Sequence, residues 1–476
     1  MDGGRKKPGW LVNDRSGEMG ALTVQEIVAA TKGALLAGPP DQGVEGFSTD
    51  TRTLGHGDLF IALKGKTFDG HAFLPHALGK RATGCVVSSP PGIPLPPEFV
   101  VIQVEETQGA LGQIANCWRR RYPVRVVVIT GSNGKTTTKE MTGSILRQGY
   151  RVLVSAGSLN NLIGVPLTLF QLREEHQVAI LELGMNVRGE IHRLAEIAEP
   201  DVGVITNIGE AHLEFLGSVE EVAEAKGELL PFLSGDRMAV LNLDDPYLSL
   251  LLAEVRGRLL TFGLDPRADV RAEGTRVRRD GRTLFTLCAG KKKQLVRLNV
   301  PGRLNVSNAL AAAAVGTAFG LDLDAIAAGL EQAPAAPMRM QQSLHPSGAV
   351  IINDAYNANP TSMAAALETF FRMTKGQEAI VVLGDMLELG SASEAAHRKV
   401  GALVARRRPA RLITVGERGR AIGDGAARKG LGTRKIHCCR DHAEAQAVLR
   451  SHLRRGRWVF LKASRGMGLE KLLEGL

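Results

Sequence analysis

Four short runs constrain this chain more than any other feature: VRVVVITG (124–131), HQVAILELG (176–184), DVGVITNIG (201–209) and MAVLNLDD (238–245). Each is rich in β-branched residues and almost wholly apolar, without the alternation of a strand that shows one face to water. Strands buried on both faces of a parallel sheet read this way, and helical patterns or loops separate them here. The rhythm restarts at AVIINDAYNANP (349–360), EAIVVLGDM (378–386), RLITVGER (411–418) and RWVFLKASRG (457–466), ahead of an expected terminal helix. This second unit is Rossmann-like in rhythm, yet no Gly-x-Gly-x-x-Gly supports dinucleotide binding.

The expected fold class is therefore α/β, in three domains, since 476 residues exceed one ordinary core. Residues 1–20 read as a flexible tail and 21–123 as a small α/β unit. Residues 124–336 form the central parallel-sheet unit, and 337–476 the Rossmann-like one. In the first unit ALTVQEIVAATKG (21–33) is a helix with a Thr23/Glu26 capping box, which Gly33 is expected to end. EQAPAAPMRM (331–340) follows a helix around 308–330 and reads as a linker.

Several function classes drop out. The basic start lacks the apolar run of a secretory signal. LNVSNALAAAAVGTAFGL (304–321) is barely long enough to span a bilayer and carries Asn305, Ser307, Asn308 and Thr317, so a packed small-residue helix is the better reading. Cys85, Cys117 and Cys288 are isolated and Cys438 and Cys439 adjacent, which is neither zinc spacing nor a disulfide framework. A cytoplasmic protein, monomeric by default, is expected. The formal net charge is +10, with arginine clusters at 406–408 and 450–457. No aromatic residues interleave with them, so solvated faces or an anionic small substrate are expected rather than nucleic acid.

The first apolar run leads into ITGSNGKTTTKE (129–140). Gly131–Thr136 sits at a strand-to-helix turn, where backbone N–H groups and the helix's positive end converge on anionic oxygens. Gly131 and Gly134 permit close approach, Lys135 would neutralise phosphates, and the Thr136 hydroxyl would ligate Mg²⁺. The usual pattern has a glycine six positions before the lysine; here that position is Ile129. Glu182 ends the next strand, and Asn207 and His212 lie just past the one after. In a parallel sheet these ends share one edge, where ligands bind. Lys226, taken alone, reads as a solvated helix lysine.

TGSNGKTTTKE, ELGMNVRGEI, TNIGEAHLEFLGS, AEAKGE, GRLNVSNALAAA and INDAYNANPTSM, in this order and spacing, resemble the Mur ligase family of ATP-dependent amide-forming enzymes of cell-wall synthesis. In that family the loop is naturally Thr-Gly-x-x-Gly-Lys-Thr/Ser, so Ile129 is no damage. The resemblance implies ATP and two magnesium ions as cofactors. It gives Gly131, Ser132, Asn133, Gly134, Lys135, Thr136 and Thr137 to the phosphates, and Thr136 with Glu182 to one magnesium. His212 falls to a second, and Lys226 is implied to be carbamylated as a metal-ligand surrogate. Asn305 and Asn308 match residues near the adenine, and Arg339 and Asp354 match groups approaching the nucleotide from the third domain. One departure is Leu304, where the family often has histidine in Gly-Arg-His-Asn.

The ends of the chain discriminate within the family. STDTRTLGHGDLFIALKGKTFDGHAF, with Asp50, Thr51 and Arg52, resembles the uridine-nucleotide domain of members that extend longer peptides. Without that context the triplet reads as a turn salt bridge. The Asp-Asn-Pro-Arg of the diaminopimelate-adding member is absent. DAYNANPTSM (354–363), with Asn357, VVLGDMLELG (381–390) and LKASRGMGLEKLL, with Lys462, Ser464 and Arg465, resemble the member that joins D-alanyl-D-alanine to UDP-N-acetylmuramoyl-tripeptide. Those two substrates are the implied partners, with no nucleic acid. The alternatives are another amide ligase of the family, adding lysine or diaminopimelate, folylpolyglutamate synthase, or, from another class, a nucleotide-binding regulator of nucleic acid.

Overall fold

A computed structural model describes residues 20–476 apart from 66 and 279. Most of the expected tail, 1–19, thus lies outside the described residues. The central runs pair as read: Arg125–Thr130, Val178–Glu182, Val202–Ile205 and Met238–Asn242 are parallel strands in a nine-stranded sheet. From one edge the order is Lys292–Leu298, Thr283–Ala289, Val270–Val277, Arg258–Gly263, Met238–Asn242, Val202–Ile205, Arg125–Thr130, Val178–Glu182, Val152–Val154. Only the pairings among Val270–Val277, Thr283–Ala289 and Lys292–Leu298 are antiparallel.

The four later runs likewise form parallel strands, ordered Val350–Asn353, Arg457–Lys462, Glu378–Gly384, Arg411–Val415, with Ile436–Cys439 beyond and Gln341–Leu344 antiparallel on the near edge. A third sheet of five strands runs Ala34–Ala37, Val100–Gln103, Gly84–Val87, Leu59–Ile61, Phe47–Ser48, antiparallel only in its first pair.

The uncharged stretch is the helix Arg303–Ala318, with Val306 and every residue from Ala309 to Val315 fully buried. Its small side chains let it lie against the helix Lys135–Leu146: a Cβ on Gly316 would come within 2.7 Å of Ile145. Among the described residues no helix is long and apolar enough to cross a membrane. One hydrophobic cluster joins Leu22, Ile27, Val86 and Ile114 of the five-stranded sheet's unit with Val126, Leu181 and Leu194 of the central one. Arg119, fully buried between them, donates from Nε to Ala198 O at 3.1 Å.

Two local expectations change. Thr23 and Glu26 make the capping box of helix Val24–Thr31, but the left-handed residue at its end is Lys32, φ 53°. Gly33 is instead needed for room, because a Cβ there would lie 2.8 Å from Gln103 O. The terminal helix is two 3₁₀ turns, Arg465–Met467 and Leu469–Leu473. They join at Gly468, φ 58°, whose left-handed backbone interrupts any continuous α-helix.

Candidate functional site

The C-terminal ends of the central strands open into a cleft of about 460 Å³, closed on its far side by the third unit. Its floor is Ser132–Thr137, between the strand Arg125–Thr130 and the helix Lys135–Leu146. Gly131 (φ 143°) and Gly134 (φ 84°) are required twice over. Besides their backbone angles, a Cβ would lie 1.9 Å from Thr206 Oγ1 at the first and 2.1 Å from Asn308 Oδ1 at the second. The close approach that the loop's glycines permit is thus to the loop's own supports.

Those supports are polar and continuous. Ser132 N donates to Asn207 O at 2.9 Å, and Asn133 N donates to Asn207 Oδ1 at 3.0 Å. Asn207 Nδ2 returns a bond to Asn133 O at 2.9 Å, and Gly209 N donates to Ser132 Oγ at 2.9 Å. Asn207, on the ligand edge by sequence, therefore spends its side chain holding the loop. From the third unit, Asn359 Nδ2 donates to Asn133 Oδ1 at 2.9 Å while its own carbonyl oxygen caps the helix Pro360–Met373.

Lys135 is half-buried and donates from Nζ to Gly131 O at 2.8 Å, folded back over the loop. Burial lowers its pKa, the Glu182 carboxylate acts against that, and the Arg339 guanidinium adds to it. Glu182 is 2% exposed; Asn160 Nδ2 donates to its Oε1 at 2.8 Å, and its Oε2 is buried with no hydrogen-bond partner. A buried, unsatisfied carboxylate oxygen facing a phosphate loop suits a hard cation. Thr136, 7% exposed, receives at Oγ1 a 3.0 Å hydrogen bond from Arg339 Nη2. Among the described residues no group of three or more His, Cys, Asp or Glu side chains could hold a metal, so phosphate oxygens or water would have to complete any coordination.

Lys226 is not the solvated lysine its isolated sequence suggests. It is 1% exposed, and its pKa is lowered well below the ordinary value, first by burial and then by the charge of Lys135. That pressure favours the neutral, nucleophilic amine.

The third unit contributes the wall. Arg339 lies with its guanidinium carbon 4.1 Å from the Tyr356 ring centroid, flanked by Met338 (φ 55°) and Met340 (φ 51°), both in left-handed backbone. Asp354 accepts from Met340 N at 2.9 Å and from Lys462 Nζ at 2.6 Å, and Lys462 also donates to Asn357 O at 2.9 Å. Lys462 is therefore already paired. Ser464 Oγ accepts from Leu387 N at 2.9 Å, and Arg465 pairs with Glu470 at 2.6 Å. Asn308 Nδ2 donates to Asn305 Oδ1 at 3.2 Å, and Asn305 Nδ2 to Pro301 O at 2.8 Å. His212 Nδ1 stands 2.8 Å from Glu388 Oε2, off the alignment of a hydrogen bond.

The cleft thus gathers Ser132, Asn133, Gly134, Lys135, Thr136, Thr137, Glu182, His212, Asn305, Asn308, Arg339, Asp354, Asn357, Lys462, Ser464 and Arg465. Gly131, Lys226, Asp50, Thr51 and Arg52 are not among the residues that line it. The last three form an exposed turn in which Arg52 Nη2 meets Asp50 Oδ2 at 2.7 Å, and the guanidinium brings the Asp50 pKa down to about 2. Sequence reasoning missed Asn160, Tyr356, Asn359 and Glu388. Asn359 carried a signal, as an asparagine before proline at a helix start; the other three have none that is local.

Known proteins resemble this chain in sequence and fold. The model of the Mur ligase middle domain matches residues 129–316, and that of the Mur ligase glutamate ligase domain matches 338–465. UDP-N-acetylmuramoyl-tripeptide–D-alanyl-D-alanine ligase of Bacillus subtilis (strain 168) is 38% identical over 95% of this chain and 98% of its own length. The ligase of the same name from Mycobacterium tuberculosis is 33% identical over 96% and 97%. A crystal structure of MurF from Acinetobacter baumannii superposes with a TM-score of 0.87 at 32% identity, covering 96% of this chain and 98% of that one. MurF of Thermotoga maritima in complex with ADP gives 0.80 at 27%, covering 90% and 96%. A folylpolyglutamate synthase of Mycobacterium tuberculosis, 17% identical with a TM-score of 0.62 over 78% of this chain and 95% of that one, shares the fold alone.

Proposed function

Because the chain belongs to the Mur ligase family, we propose that it joins D-alanyl-D-alanine to UDP-N-acetylmuramoyl-tripeptide at the expense of ATP, making a pentapeptide precursor of peptidoglycan. The observation that carries this is one cleft in which a phosphate loop, an unsatisfied Glu182 oxygen and Arg339 from the third unit converge. The choice of acceptor and amine rests on relatives matched along nearly their whole length, both end units included.

The tripeptide's terminal carboxylate attacks the γ-phosphorus of ATP, ADP leaves, and an acyl phosphate forms. The neutral amine of D-alanyl-D-alanine then attacks the acyl carbon; phosphate leaves carrying the proton the amine gives up, and the amide remains. Two anions must first meet, so the site's task is neutralisation and positioning. Lys135 supplies a cation released from Gly131 O, and the first N–H groups of helix Lys135–Leu146 add partial positive charge. Arg339 brings a second cation from the opposite wall.

Thr136 and Glu182 are the residues that would hold magnesium, with His212 toward a second ion. Such an ion, when bound, supplies charge to the phosphate oxygens. Carbamylation of Lys226 is part of the proposal: its neutral amine can add CO₂ with release of one N–H proton, and the resulting anion would turn the repulsion from Lys135 into attraction. Asp50, Thr51 and Arg52 are assigned to the uridine nucleotide, and Asn357, Ser464 and Arg465 to the peptide end. Units at 21–123, 124–336 and 337–476 would divide these duties, water being excluded as the third closes on the second.

The test is ADP release with ATP, Mg²⁺ and UDP-N-acetylmuramoyl-tripeptide, with and without D-alanyl-D-alanine. Turnover that needs both, with a pentapeptide mass, is the expected result. Turnover with a single amino acid, or with folate and glutamate, would overturn the substrate assignment.

A further inference from the structure

The third unit grips the central one through a prong outside the family motifs that bind nucleotide. After the strand Glu378–Gly384 the chain runs Asp385–Leu389 into the cleft. Its base is fixed within the third unit. The fully buried His397 accepts from Met386 N at 3.0 Å, and Ser464 N donates to Asp385 O at 3.0 Å while its Oγ accepts from Leu387 N at 2.9 Å. Its tip crosses to the central unit. Glu388 O accepts from Glu214 N at 3.1 Å, and Glu388 Oε2 reaches His212 Nδ1 at 2.8 Å.

Both residues of that contact sit in left-handed backbone. His212 has φ 57° and Glu388 φ 62°, a conformation that few residues other than glycine adopt. Backbone held off its preferred wells on both sides of one contact marks a junction that the surrounding structure enforces, as at clamps and switches. The prong also carries Leu387 and Leu389 on the cleft wall and, through Ser464, abuts the strand end bearing Lys462.

We propose that Glu388 is a positioning residue that ties seating of the third unit to acyl transfer. Its carboxylate latches the peptide-binding wall onto His212, so that amine, acyl phosphate and phosphate loop are enclosed together. It touches no reacting atom. The proposal rests on the ligase reading for its chemistry, but the latch itself does not. A loosened latch lets water reach the activated acyl group, so ADP forms without amide.

The experiment compares the full chain with E388A and E388Q. Small-angle scattering with a non-hydrolysable ATP analogue and Mg²⁺ reads closure without any acceptor. ADP released per amide formed reads coupling, and thermal melting checks folding. In E388A the closed population and the coupling are expected to fall about five- to tenfold, the low end of typical inter-site coupling. E388Q, which keeps the side chain's size but not its charge, should lose closure and coupling as E388A does, because the 2.8 Å contact depends on the carboxylate's charge and not on an aligned hydrogen bond. Unchanged scattering and a one-to-one ratio in a folded E388A would overturn the latch. If the wild-type chain made no amide from the dipeptide, the ligase reading would fail while the scattering difference still tested the latch.

Discussion

The phosphate loop and the Asp50–Arg52 turn are both short motifs with family meaning, and the structure treats them in opposite ways. The loop is tied through Asn207, Gly209 and Asn359 into a set of hydrogen bonds that reach distant chain segments. Among the described residues the turn's hydrogen bonds reach no farther than its neighbours Ser48 and Thr53: Asp50 N donates to Ser48 Oγ at 3.2 Å, Asp50 accepts from Arg52 N and Nε at 2.9 Å and 3.0 Å, and the Arg52 side chain is 88% exposed. A pre-organised site has its ordering cost met by folding. An exposed one awaits its ligand, so mutation should cost chemistry in the loop and affinity in the turn.

The largest expected effect is Lys135→Ala, which removes the loop's cation without touching the core. kcat should fall by about 10²–10³, the usual loss on deleting one transition-state donor. Steady-state turnover checks it; a change in KM alone would put the loop in the same class as the turn.

Next is Asn207→Ala. Losing both bonds to Asn133 should weaken ATP by about tenfold, one to two hydrogen bonds' worth, measured by calorimetry with the ATP analogue. Unaltered affinity would mean the loop's order does not depend on that network.

Lys226→Met tests burial by pH. The folded pKa is lowered from 10.5, so between that lowered value and 10.5 the unfolded chain holds more protons, and stability rises with pH through the window. Methionine removes that slope. Without added CO₂ the variant should melt about 2–4 °C above the parent at neutral pH, with the gain shrinking towards pH 10.5. Activity should be lost. A parent stabilised by bicarbonate at neutral pH would sharpen the carbamate proposal.

The smallest effect is Arg52→Ala. An exposed ion pair contributes little, so the melting temperature should not move. KM for the uridine substrate should rise with kcat unchanged. A large drop in melting temperature would show that the turn is structural after all.

How much was legible follows the same division. Strands such as Arg125–Thr130 and Val178–Glu182 announced themselves because burial on both faces leaves a continuous apolar run. Thr23 and Glu26 announced their helix because capping is settled within four residues. Gly33 and the terminal 3₁₀ turns were misread. A glycine needed for a neighbour's carbonyl looks the same in sequence as one needed for its own φ, and Gly468 interrupts what the pattern continues. Lys226 could not be read from its helix, since only the packing of other segments makes it buried.

By itself the sequence determined the α/β class, the strand edge where ligands gather and the loop Gly131–Thr136, because periodicity, β-branching and glycine spacing act over a few residues. The tertiary structure alone decided that Asn207, on the ligand edge, spends its side chain supporting the loop, that Lys462 is paired with Asp354, and that Glu388 meets His212. Each of those depends on which distant segments fold together, and on the low polarity of the space between them, which sets whether a charge must find a partner or give up its proton.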